Sequence, residues 1–215
     1  MNLSNVDSLA YLWPEMILVA AILVIFLADL FVRDKEILGN LALLGAALSC
    51  AVAARAFGWD QGWLFNQMIV IDPFAIFFKL LFSLTAFFVI WMSMDSREVV
   101  GSRSQGEYYA ILLSAVLGMY FMASAANLLM AYLALEMVSI MSYVLTGYLR
   151  HDRRSSEAAL KYLIYGGVAS GTMIYGLSWI FGLTGSMDYA AIHAALAGAQ
   201  GQSLALFLAI VLCPS

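Results

Sequence analysis

Glu136 stands alone in the apolar run 127–148, about nine residues past its start, too deep for its carboxylate to reach water by stretching. A charge at mid-membrane depth costs about 2.5 to 3.5 kcal/mol on insertion scales, and residues that bear this cost usually mark an ion or proton path. Burial favours the protonated form of a carboxyl and a nearby cation favours the ionised form, so a neighbouring charge can switch its hold on a proton. A carboxyl that only hydrogen-bonds another helix is the plainer alternative.

Lys161 lies about one turn inside the run 157–183, and Glu157 precedes it by four residues, which places both on one face of a helix. Two roles are open to it. A desolvated lysine can lose its proton and relay it, and a lysine near an interface can extend its stem to water. Lys79, about one and a half turns into the run 74–94, lies near the opposite interface, where extension to water is the expectation. Asp29 falls near the inner end of the first run and is expected at the interface, while His151 and His193 fall in polar connections without ligand-like company. Cys50 and Cys213 sit in apolar runs without metal or iron–sulfur spacing, so both read as small hydrophobes.

The elements that must position these groups are membrane helices. Hydrophobic residues make up 64% of the chain and charged residues 11%, with a mean hydropathy of +0.90. Soluble domains have roughly 45–50% apolar and about 25% charged residues. A net charge of −4 without a basic stripe makes nucleic acid an implausible partner, leaving the lipid bilayer as the first one. The N-terminal stretch lacks Lys and Arg and runs into an apolar segment too long for a signal peptide, so it is expected to stay on the mature protein. No dinucleotide glycine fingerprint, phosphate loop or heme-attachment motif occurs, and no cofactor is expected to bind this chain by itself.

An all-α polytopic bundle follows, with six spans at about 13–32, 37–54, 74–94, 108–123, 127–148 and 157–183 and an incomplete seventh at 204–213. A helix rising 1.5 Å per residue needs about twenty residues to cross roughly 30 Å of hydrocarbon, so the last ten-residue run cannot span and the chain looks cut off. The segment 58–71 reads as an interfacial loop with a short strand, 95–107 and 150–154 as polar loops, and 186–202 as helical at most in part. The connection 124–126 is so short that the fourth and fifth spans form an antiparallel hairpin. With the N-terminus outside, Arg33, Lys35, Arg97, Arg103, Arg150, Arg153 and Arg154 fall in the cytoplasm and only Arg55 outside, which satisfies the positive-inside rule. The spans fall in two stretches: residues 1–107 with three helices and an interfacial loop, and 108–215 with helices four to six and the start of a seventh.

Beyond these properties, the residues resemble a known family. The Tyr-Leu-Ala-Leu-Glu run at 132–136, Ser139, Tyr143, the basic loop 150–154, the Glu157-Ala-Ala-Leu-Lys161-Tyr run and the Gly/Ser-rich helix after it together resemble the antiporter-like membrane subunits of respiratory complex I. Asp72-Pro73-Phe74-Ala75 and the two helices before it look like the N-terminal helices of bacterial forms, so the resemblance covers nearly the whole chain.

The resemblance implies the N-terminal part of a fold of about fourteen helices with two inverted repeats of five. It implies a membrane-arm subunit of NADH:quinone oxidoreductase, a translocase in the bacterial inner membrane. NADH, FMN, iron–sulfur clusters and quinone belong to the wider complex and other membrane-arm subunits are the partners. In that family's terms Glu136 is the fifth-helix glutamate and Lys161 the sixth-helix lysine of a proton path, with charge separation between the glutamate and a lysine setting the lysine's proton affinity. A seventh-helix lysine and the later sites of the second half lie beyond this sequence, which leaves room for a separate C-terminal half. The alternatives are a subunit of a secondary cation/proton antiporter and a non-pumping structural or assembly piece.

Overall fold

A computed structural model of the chain describes residues 8–32, 36–59, 62–96 and 105–198. The helices are α1 (Trp13–Phe31), α2 (Glu36–Arg55), α3 (Pro73–Ser93), α4 (Gln105–Ser124), α5 (Leu128–Thr146), α6 (Arg153–Thr184) and α7 (Tyr189–Gly198). The first six are long and apolar enough to cross a membrane, as the run lengths predict. The seventh apolar run, 204–213, lies outside the described residues.

Local chemistry starts and stops these helices where the sequence changes character. Asp72 accepts a 2.7 Å bond from Ala75 N ahead of Pro73, whose missing N–H does no harm in the first turn. Asn127 accepts from Leu129 N at 2.8 Å to open α5, and Asp152 accepts from Arg154 N at 2.9 Å to open α6. Gly185 ends α6 in the left-handed region at φ 69°, where a Cβ would be strained. Because Asp152 is the cap, Arg153 and Arg154 begin α6 rather than closing a loop, and its 32 residues exceed what a bilayer requires. Residues 105–107 likewise belong to α4 rather than to the connection before it.

The principal core joins α1 to α4: Leu18, Ile25, Leu38, Ala42, Ile90, Tyr109, Leu113 and Tyr120 form one buried cluster. Helix α4 is central, with 56% of its most apolar window buried, against 11% in α5 and in α6. Helix α5 packs on α4, and α6 on α5, extending the bundle sideways. The segment expected to hold one strand holds two, β1 (Gly62–Leu64) and β2 (Ile69–Ile71), paired antiparallel. Phe65, Asn66 and Gln67 make the reversal at positive φ. At the same end, Ala126 N donates to Met68 O at 3.0 Å and Asn127 Nδ2 donates to Asp188 Oδ1 at 2.6 Å, tying the α4–α5 and α6–α7 connections to the hairpin.

Candidate proton-path site

Glu136 lies in the middle of α5, half-buried, with Oε1 enclosed and lacking a hydrogen-bond partner. An unsatisfied buried oxygen is costly unless water, a proton or another group reaches it. Around it, α5 is held close to both neighbours. Gly118 of α4 has no side chain where Val138 crosses, and a Cβ there would come within 2.8 Å of Val138 Cγ2 and 3.2 Å of its backbone nitrogen. Gly166 of α6 leaves the space that the Tyr143 ring fills, and Tyr143 stacks edge-on against Tyr162 at 4.7 Å. Tyr132 and Ser170 share a 3.0 Å hydroxyl contact one turn from Glu136.

These contacts also fix the register of α5 against α6. Tyr132 lies level with Ser170, Tyr143 with Tyr162 and Gly147 with Ala159, as antiparallel helices require. Lys161 is therefore level with about Tyr143, two turns or roughly 10 Å along the axis from Glu136 at 1.5 Å per residue. Its ammonium bonds Glu157 Oε1 at 2.6 Å, and both side chains are exposed, at 67% and 60%. The i,i+4 pairing expected from the sequence is present; no ion pair joins Lys161 to Glu136 among the described residues. Asp29 is half-buried against Gly106 at the start of α4, and His151 and His193 are exposed.

Lys79 corrects the sequence-based expectation. It does not extend to water: its side chain is 6% exposed and Nζ lies 2.6 Å from Oε1 of Glu15, itself 3% exposed. The lysine is drawn inward because a buried acid on α1 faces it, and its other face is closed by helix packing. Glu15 was missed because it stands in a first helical turn, where acidic residues are ordinary. The available signal was topological: Glu15 in α1 and Lys79 in α3 are lone charges near the same end of two helices that run in the same direction. Among the described residues no group of three or more His, Cys, Asp or Glu is placed to hold a metal ion.

A family model described as NADH:quinone oxidoreductase/Mrp antiporter, TM matches residues 125–214, which include Glu136 and Lys161. NADH-quinone oxidoreductase subunit N 2 of Chloroherpeton thalassium is 44% identical over 93% of this chain and 40% of its own length. Subunit N of Anaeromyxobacter is 42% identical over 93% of the chain and 39% of its length. The chain thus spans about 40% of the length of the curated relatives it matches. A chain of respiratory complex I from Thermus thermophilus with bound aureothin superposes with a TM-score of 0.74 at 28% identity, covering 93% of this chain and 42% of that one. A chain of the membrane-bound sulfane sulfur reductase, an archaeal respiratory membrane complex, shares the fold with a TM-score of 0.80 at 19% identity, covering 96% and 43%.

Proposed function

We propose that this chain, which is similar to about 40% of the length of NADH-quinone oxidoreductase subunit N relatives, is the N-terminal portion of an antiporter-like membrane subunit and serves in a membrane arm that couples electron transfer from NADH to quinone with proton translocation. The observation that carries this reading is Glu136, an acid at mid-membrane with an unpartnered buried oxygen, between glycine-tightened helix crossings. Glu136 holds and releases the proton. Lys161, two turns toward the cytoplasmic side and paired with Glu157, exchanges protons with water there. An offset of roughly 10 Å along the helix axis is too long for direct transfer, so water must bridge the step. Electron carriers belong to other subunits, and the partners are other membrane-arm subunits. Residues 1–107 form the N-terminal helices and 108–215 open the inverted repeat.

The chain lies in the bacterial inner membrane with its N-terminus outside, a reading supported by the seven basic residues that this orientation places in the cytoplasm. In membranes where this chain supplies the subunit, Glu136→Gln is expected to abolish most NADH-driven proton uptake while the complex still assembles. Unchanged proton uptake and NADH oxidation would overturn the assignment. A second reading, a cation/proton antiporter subunit, is favoured by the family model's joint description; it requires cation exchange driven by a pH gradient without NADH. A purely structural piece predicts that Glu136→Gln changes nothing.

A further inference from the structure

Four helix ends meet around a cavity of about 420 Å³ that takes no part in the Glu136 reading. Ser93 and Ser96 reach it from the end of α3, Tyr108 from the first turn of α4, Thr146 and Tyr148 from the end of α5, and Ser155 from the start of α6. Because α3 has 21 residues, about the length that crosses the hydrocarbon, its end and the cavity beside it lie at the level of the lipid headgroups. Both α3 and α5 pack on α4, and the exposed Met92 of α3 also lines the cavity. Phe88 and Val89, one turn deeper than Met92 on the same face of α3, are exposed as well, so an apolar surface leads from the cavity into the bilayer.

Three of the hydroxyls that line this space have their protons committed. Ser93 Oγ donates to Ile90 O at 2.7 Å, Thr146 Oγ1 to Ser142 O at 2.8 Å and Ser155 Oγ to Thr146 O at 2.7 Å. A hydroxyl has one proton and two lone pairs, so Thr146 and Ser155 offer a ligand acceptors and no donor. Charges of both signs flank the cavity. Arg150, next to the end of α5, donates from Nη2 to Glu107 Oε2 of α4 at 2.7 Å, which leaves its other N–H groups for a second acceptor. Arg153 and Arg154 open α6 behind the Asp152 cap, and Asp95 stands beside Ser96. Among the described residues around the cavity these are three cations and three anions, a balance that suits a ligand carrying both signs over one with a surplus of either.

We propose that this cavity seats the headgroup of a zwitterionic amino-phospholipid, phosphatidylethanolamine. Its ammonium donates to the oxygens of Thr146 and Ser155, its phosphate accepts from the remaining N–H groups of Arg150 at the rim, and an acyl chain follows Phe88 and Val89 along α3. A choline headgroup has the same two charges and no N–H to give, and a glycerol headgroup leaves the phosphate charge unbalanced, so the acceptor lining and the balanced rim select the amine. Thr146 is ten residues from Glu136, about 15 Å along α5, and the site does not depend on the reading given for Glu136.

The test is native mass spectrometry of the full chain in detergent, offered equal amounts of phosphatidylethanolamine, its N,N-dimethyl form, phosphatidylcholine and phosphatidylglycerol with identical acyl chains. The expected result is one retained lipid per chain, with phosphatidylethanolamine favoured over phosphatidylcholine by about fivefold, the factor that one net hydrogen bond supplies, and the dimethyl form between them. Thr146→Val, at an exposed side chain, is expected to erase that preference while phosphatidylcholine is retained as before. Arg150→Gln is expected to weaken all four lipids alike through the phosphate. Equal retention of phosphatidylethanolamine and phosphatidylcholine, a preference for phosphatidylglycerol, or a preference that survives Thr146→Val overturns the proposal. So does retention of no lipid, the outcome expected if residues 97–104 of the chain itself fill the cavity. Proton uptake is not measured, so failure here leaves the Glu136 reading untouched.

Discussion

At the scale of single residues, burial separates the ionisable groups into two kinds. The Lys161–Glu157 and Arg150–Glu107 pairs are solvent-accessible, at 2.6 Å and 2.7 Å, and pairs of this kind contribute at most about 1 kcal/mol. The Lys79–Glu15 pair is enclosed, and there the balance differs. Removing one partner leaves an uncompensated charge, which costs about 3 to 5 kcal/mol, whereas replacing both with apolar groups of similar volume is often neutral. Thermal unfolding of Lys79→Met is therefore expected to show a large loss of stability, most of it recovered in the double variant Glu15→Leu with Lys79→Met. Equal losses in the single and double variants would contradict a buried pair. Replacing Lys161 by Met should leave the melting temperature nearly unchanged in the same measurement.

At the scale of elements, the spacing between helices is set by residues that have almost no side chain. Gly118 lets α5 cross α4 with Val138 seated over its backbone, an approach that a methyl group would force apart. Gly118→Ala is expected to destabilise the α4–α5 hairpin by about 1 to 3 kcal/mol, the usual range for overpacking. Because this crossing sets the orientation of Glu136 two residues earlier, the same change should reduce NADH-driven proton uptake before it prevents insertion. Melting curves and vesicle proton uptake on one preparation would separate the two effects. The hairpin β1–β2 works at the other end of these helices, where its bonds to the α4–α5 connection hold the loop in place. Its reversal through three residues at positive φ left no glycine signal, so sequence patterning found one strand where the fold has two.

At the scale of the whole molecule, the six helices form a tightly joined group, α1 to α4, with α5 and α6 laid against one side. The large apolar exposure of α5 and α6, including Leu133, Ile140, Leu163 and Val168, suits contact with lipid or with further helices of the longer relatives. Topology has a direct check. With the N-terminus outside, a cysteine at His193 in a background lacking Cys50 and Cys213 should react with an impermeant maleimide from the outer face. One at His151 should react only after the membrane is opened. The reverse pattern would invert the orientation and, with it, the direction assigned to any proton path.

The sequence by itself determined the six spans, their hairpin connections, the i,i+4 pairing of Glu157 with Lys161 and the position of Glu136, because length, hydropathy and helical periodicity are properties of the chain alone. The resemblance to the family was legible for a related reason: its markers are contiguous in the 132–162 region, inside the stretch that the family model matches. Tertiary structure decided what no single segment contains. Whether Lys79 meets water or Glu15 depends on which faces of α1 and α3 turn toward each other, and that is settled by the shared core with α4. The same packing brings Ser49, Ser83 and Tyr120 together across 71 residues of chain, and it fixes the two turns that separate Lys161 from Glu136. Hydropathy reports how much each residue avoids water; it does not report which residue lies opposite, and the chemistry of a buried charge depends on that neighbour.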